Sequence, residues 1–228
     1  MIDTKRPVLY DHLASRPECH DHFLNMLKRP RKMTANALFQ NVSCRYFTKP
    51  GPANTGAVLE AAGQRAKELA IGRVVVASCT GRTAFAAQKI FAPSARIIAV
   101  THVTGFTEPN VQEMSEEDRR ALKEQGVEVL TCAHAFGGIG RGVRNKIGTY
   151  QIDEIIAFTL RTFGQGTKVA VEIALMAADA GSVRTDEDVI SIGGSGRGAD
   201  TALVLRPATS SHLFDLKVKE VICKPANP

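Results

Sequence analysis

Two β-branched runs, Val74-Val75-Val76 and Ile97-Ile98-Ala99-Val100, stand on either side of a stretch with helical spacing. No other feature narrows the fold so far. Short apolar runs of this composition are buried strands. Two strands joined through a helix lie parallel, because the chain must cross back before it can begin the second. The same alternation continues along the chain, so a parallel sheet with helices on both faces is predicted.

The elements follow from local signals. SCRYF from residue 43 reads as a strand, and KPGPANT as a turn in which Asn54 or Thr55 caps a helix. Val58, Leu59, Ala62, Ala66 and Leu69 give that helix its 3.6-residue period, and Gly72 is expected to end it. Strands are predicted at 73–78, 96–101 and 127–131, with helices at 83–91 and after Ser115, where acids fill the first turn. Residues 132–150 read as one long glycine-rich loop. An amphipathic helix is predicted from Ile152, and VAVEIALMAADAG, apolar nearly all round, as a central buried helix. Residues 189–192, TALVLRP and LKVKEVIC are late strands with no helix between them, so an antiparallel edge is expected.

Residues 1–42 differ from the rest. They mix prolines and charges without a sustained period, and a short helix is possible at 20–27. The division is therefore a basic, flexible extension at 1–42 and an α/β domain at 43–228. The net charge is +6, and residues 1–40 hold seven basic against four acidic side chains. The run KRPRK at 28–32 is too short, and too far from any amphipathic partner, to argue for nucleic acid or a membrane. His12, Cys19, His20 and His22 match no zinc spacing, and no metal site is expected. Five cysteines, without a CxxC pair, suit the reducing cytoplasm. No segment is long and apolar enough to span a membrane.

The chemistry lies in the loops. In an open α/β sheet, ligands meet the carboxyl ends of strands beside helix N-termini. SCTGRT at 78–83 occupies such a place. Gly81 lets a ligand approach the backbone, Ser78, Thr80 and Thr83 carry hydroxyls, and Arg82 presents a fork for phosphate oxygens. The bland alternative is a helix cap at Thr80 with Arg82 in water. Cys79, next to an arginine and a helix N-terminus, is expected to have a lowered pKa. Only two residues separate it from Arg82, too few for a cysteine-phosphatase cradle, so it is read as a small loop residue. GGSGRGAD at 193–200 has the look of a dinucleotide fingerprint, but a strand follows it where that motif needs a helix. Gly194, Ser195, Gly196, Arg197 and Asp200 remain candidates to line a pocket, as do Gln165 and Gly166. His102 and His134 follow strands and are candidate acid–base groups, with Thr101, Gly105 and Phe106 in the first of those loops. Glu172 is either a general base, an orienter of an arginine in the pocket, or the partner of Lys168 four residues earlier.

VVVASCTGRTAFAAQKIFAPSARIIAVTH at 74–102 resembles the C-terminal α/β domain of pyruvate kinase. YFTKPGPANT, VTHVTGF, FGQGTKVAVEIALMAADAG and GGSGRGADTALVLRPA resemble the stand-alone relatives of that domain, known mainly from archaea and bacteria. The resemblance implies a three-layer α/β/α fold around a mixed, mostly parallel sheet. It implies that Ser78, Thr80, Gly81, Arg82 and Thr83 hold a phosphate, as the equivalent turn holds an effector's phosphate in many pyruvate kinases. It associates the relatives with flavin mononucleotide (FMN), and it implies self-association. Cys79 and Cys132 and the N-terminal extension depart from the relatives. The likeness does not extend to the catalytic barrel, so no pyruvate kinase activity is expected. Binding of a phosphorylated small molecule, with FMN in view, is the leading expectation. An enzyme using the same pocket, redox or acid–base, is the alternative.

Overall fold

In the computed structural model, which describes residues 38–227, the strands are β1 (Arg45–Phe47), β2 (Arg73–Ala77), β3 (Arg96–Val100), β4 (Glu128–Leu130), β5 (Val189–Gly193), β6 (Thr201–Arg206) and β7 (Lys217–Pro225). They form one mixed sheet in the order β1-β7-β6-β5-β2-β3-β4. Strands β5, β2, β3 and β4 run parallel, and β1 is parallel to β7. Strand β6 is antiparallel to both neighbours, so the antiparallel pairs gather in the half of the sheet that ends at β1. The reason is visible in the sequence: β5 reaches β6 through a short loop, with no helix to carry the chain back.

Helices α1 (Thr55–Leu69), α2 (Arg82–Phe91) and α3 (Glu116–Glu124) cover one face. Helix α6 (Gln165–Asp179) covers the other, with α5 (Ile152–Arg161) packed on it. Strand alternation divides the side chains. Val74, Val76, Ile97 and Ala99 join the first core, while Val75, Ile98 and Val100 join the second. Twelve of the fifteen residues of α6 are buried, as its all-round apolar sequence required.

Three local features differ from expectation. Residues 132–150 are not one loop, because α4 (Ile139–Ile147) forms inside them. Ile139, Val143 and Ile147 repeat every four residues, a signal obscured by the glycines between them. Arg144 of α4 then pairs with Glu154 of α5 at 3.0 Å. Helix α1 ends before Gly72: Ala70 takes the left-handed position at φ 54° and donates back to the last turn. Finally, Ser78 and not Thr80 caps α2, through an N–H bond from Ala84 to Ser78 Oγ at 3.2 Å.

Residues from Ser43 onward make up one compact unit. The helix suggested at 20–27, the basic run at 28–32 and the group His12, Cys19, His20 and His22 lie outside the described residues. Among the described residues no helix is long and apolar enough to cross a membrane.

Candidate functional site

The sheet changes direction of growth at β2. The chain proceeds from β2 through β3 to β4 on one side and reaches β5 on the other. Loops leaving the carboxyl ends of β2 and β5 therefore part from one another, and a crevice opens between them. It is a cleft of about 420 Å³, within the range of small-molecule sites. The loops after β2 and β5, the start of α6 and the loop after β3 line it.

Of the residues singled out from sequence, Ser78, Cys79, Thr80, Arg82, Thr83, His102, Gln165, Gly194, Gly196 and Arg197 line the cleft. Gly81 shapes it from below, with φ at +85° just before α2. Ala84 N–H is capped by Ser78, and Phe85 N–H bonds to the Gly81 carbonyl at 2.9 Å. No hydrogen bond takes the N–H groups of Arg82 and Thr83 among the described residues. Arg82 and Arg197 are exposed, and neither has an ion pair or hydrogen bond among the described residues. Two unengaged guanidiniums, free helix-start donors and the Thr80 hydroxyl thus share one cleft, and all of them are hydrogen-bond donors.

Other sequence candidates serve the walls. Asp200 is fully buried, and its carboxylate accepts from Gly51 N–H at 2.9 Å, Ser195 N–H at 3.1 Å and the Thr201 hydroxyl at 2.9 Å. It ties the glycine-rich loop to the turn before α1, and with three hydrogen bonds so accepted it is a post and not a lining group. Ser195 serves the same tie. Gly166 is where α6 meets this post: a Cβ there would sit 2.2 Å from Thr201 Oγ1 and 2.5 Å from Asp200 Oδ1. Thr101 is buried and shares its hydroxyl with Thr131 at 2.7 Å and the His102 carbonyl at 2.8 Å. Gly105 and Phe106 lie beside the cleft, where the Phe106 ring centroid is 4.0 Å from that of His102 and 5.1 Å from that of His134.

The acid–base candidates separate. His102 faces the cleft, and its Nδ1 is 2.5 Å from Glu113 Oε2. His134 does not line the cleft. Its Nε2 accepts from Val103 N–H at 3.3 Å, and burial pushes its pKa down to about 4. Glu172 does not line it either: it pairs with Lys168 inside α6 and accepts Phe136 N–H at 3.0 Å. Burial holds the Lys168 ammonium below its ordinary pKa. The lowered thiol pKa expected for Cys79 is not found. Burial, then the nearby Glu113 carboxylate, push it up to about 11, outweighing the backbone hydrogen bonds at His102 and Cys79 that lower it.

Glu113, Pro52, Thr55, Val169 and Gly198 also line the cleft. Sequence reasoning took in Gly198 only as part of the 193–200 loop and missed the other four. Glu113 lies in a loop without period, folded back by a Gln112 side chain that donates to the His102 carbonyl at 3.1 Å. Cys79 comes from the loop after β2, and His102 and Glu113 from the two ends of the loop after β3, yet one ligand atom of each lies within 4.8 Å of the other two.

The fold and the cleft together define an open α/β protein with a cleft at the carboxyl edge of its sheet. It belongs to the pyruvate kinase alpha/beta domain family, whose model matches residues 56–205. Solved structures similar to it include two of Cryptosporidium parvum pyruvate kinase. One, in complex with ADP, is 18% identical over 69% of this chain and 24% of that one, with a TM-score of 0.38. The other is 17% identical over 70% of this chain and 24% of that one, with a TM-score of 0.36. The chain thus spans about a quarter of the length of those enzymes.

Proposed function

We propose that the cleft between the β2 and β5 loops binds a phosphorylated small molecule, with FMN the first ligand to try. The observation that carries this reading is the pair of unengaged arginines, Arg82 and Arg197, facing one cleft beside the free N–H groups that open α2. A phosphate there meets charge-assisted donors from two loops and a helix dipole of the right sign. The loop after β3 and the start of α6 close round the rest of the ligand. Visible absorption of the fresh protein, before and after denaturation and filtration, tests for FMN. A panel of phosphorylated ligands then tests the class: Arg82→Ala is expected to weaken those that bind, and unchanged affinity for all of them overturns the proposal.

A second reading, an enzyme using the same cleft, is favoured by one observation: His102 faces the cleft and is oriented by Glu113. In that case His102 moves the proton, and turnover of a phosphorylated substrate disappears in His102→Gln.

Self-association belongs to the same proposal. Ile147, Tyr150, Ile152, Ile155 and Phe158, on and between α4 and α5, each keep 49–78% of their surface exposed. A second copy of the chain covers such residues. Light scattering tests this, with Ile155→Glu expected to lower the mass.

A further inference from the structure

We propose that Cys79, His102 and Glu113 form a three-ligand site for a divalent cation of the zinc class, its fourth position open to the cleft. The three side chains offer one sulfur, one nitrogen and one oxygen, each within 4.8 Å of the other two. All three line the cleft, and all three are half-buried. A hard cation such as magnesium takes oxygen alone, whereas a thiolate–imidazole–carboxylate set suits zinc. Three protein ligands with one position left open is the arrangement of reactive zinc centres, as distinct from closed structural ones.

The same three residues invite another reading, a nucleophile–base–acid relay, and the geometry decides against it. A relay puts the nucleophile and the carboxylate on opposite ring nitrogens of the imidazole, roughly 7 Å apart. Here the sulfur and the carboxylate are within 4.8 Å of each other. The three atoms lie close enough together to share one ion, as ligands do. The contact between His102 Nδ1 and Glu113 Oε2, 2.5 Å in this arrangement, opens to roughly 3.3 Å when both bind one tetrahedral ion.

The ligands are held from outside. The His102 carbonyl accepts from the Thr101 hydroxyl at 2.8 Å and from Gln112 Nε2 at 3.1 Å. Gln112 Oε1 in turn accepts Met114 N–H at 3.2 Å, so one side chain ties the backbone of His102 to the backbone next to Glu113. Phe106 packs on the imidazole. Such outer partners orient ligands before the metal arrives.

The test is a cobalt(II) titration of the full chain, stripped with chelator and free of phosphate, followed by displacement with zinc(II). The expected result is one equivalent of cobalt per chain, with a thiolate-to-cobalt charge-transfer band that zinc removes. Cys79→Ser abolishes the band, Glu113→Gln weakens cobalt binding by at least about tenfold, and Cys132→Ser leaves both as in the native chain. Circular dichroism shows that each variant is folded. Should Cys79→Ser not fold, Glu113→Gln and His102→Gln carry the same test through affinity. Absence of the band, or its survival in Cys79→Ser, overturns the proposal. The titration contains no phosphorylated ligand, so its failure leaves the phosphate reading standing, and the reverse holds as well.

Discussion

The interior of α6 and the cleft that its first residues help to line make a useful contrast. Three residues into the helix, Lys168 and Glu172 are buried and paired with each other, and Glu172 also takes the Phe136 N–H. At the cleft, Arg82 at the start of α2 and Arg197 in the loop after β5 are exposed to solvent with no partner among the described residues. Both regions are polar groups set against an apolar framework. In the first, the groups satisfy one another and the arrangement is closed. In the second they are left unsatisfied and grouped, which is the condition for binding. A charge in a buried helix is thus weaker evidence of function than an unengaged charge at the cleft.

The largest expected effect breaks the closed pair. Lys168→Met leaves the Glu172 carboxylate buried without its cation, and should lower stability by about 3–5 kcal/mol. Urea unfolding measures this, and Lys168→Met with Glu172→Gln should recover part of the loss. Next comes the open region. Arg82→Ala should weaken a bound phosphorylated ligand by about 1.5–3 kcal/mol, the worth of a charged hydrogen bond. Its melting temperature should stay near that of the native chain, because no internal contact is lost. Gly166→Ala tests the junction of the two regions. The new Cβ must displace the Thr201 hydroxyl or the Asp200 carboxylate, at a cost of about 1–3 kcal/mol, seen as a lower melting temperature. The smallest effect is expected from Thr80→Ala, which removes one neutral hydroxyl at the cleft and should cost about 1 kcal/mol of ligand affinity. An equal response of stability and affinity to Arg82→Ala would erase the contrast.

The sequence made much of the fold legible. The β-branched runs of β2 and β3 and the all-round apolar α6 carry strong local patterns, and burial follows them. Helix α4 was hidden because glycines at 140 and 142 break the impression of a period that Ile139, Val143 and Ile147 still keep. Ala70 in the left-handed region could not be anticipated, since that position ordinarily favours glycine. The cleft was half legible. Each loop could be read as a ligand loop alone, from its glycines, hydroxyls and arginines. The juxtaposition could not be read, because it depends on strand order. Glu113 shows this best: it is eleven residues from His102 in sequence and thirty-four from Cys79, and only the folded sheet edge assembles them.

The placement of the cleft where β2 and β5 part company has a mechanical consequence. Its two arginine-bearing loops are separated by more than a hundred residues, so a molecule bridging Arg82 and Arg197 acts as a removable cross-link across most of the chain. Its binding energy adds directly to the folded state by mass action. Amide exchange should then slow together in the β2–α2 and β5–β6 loops, although no covalent bond joins them.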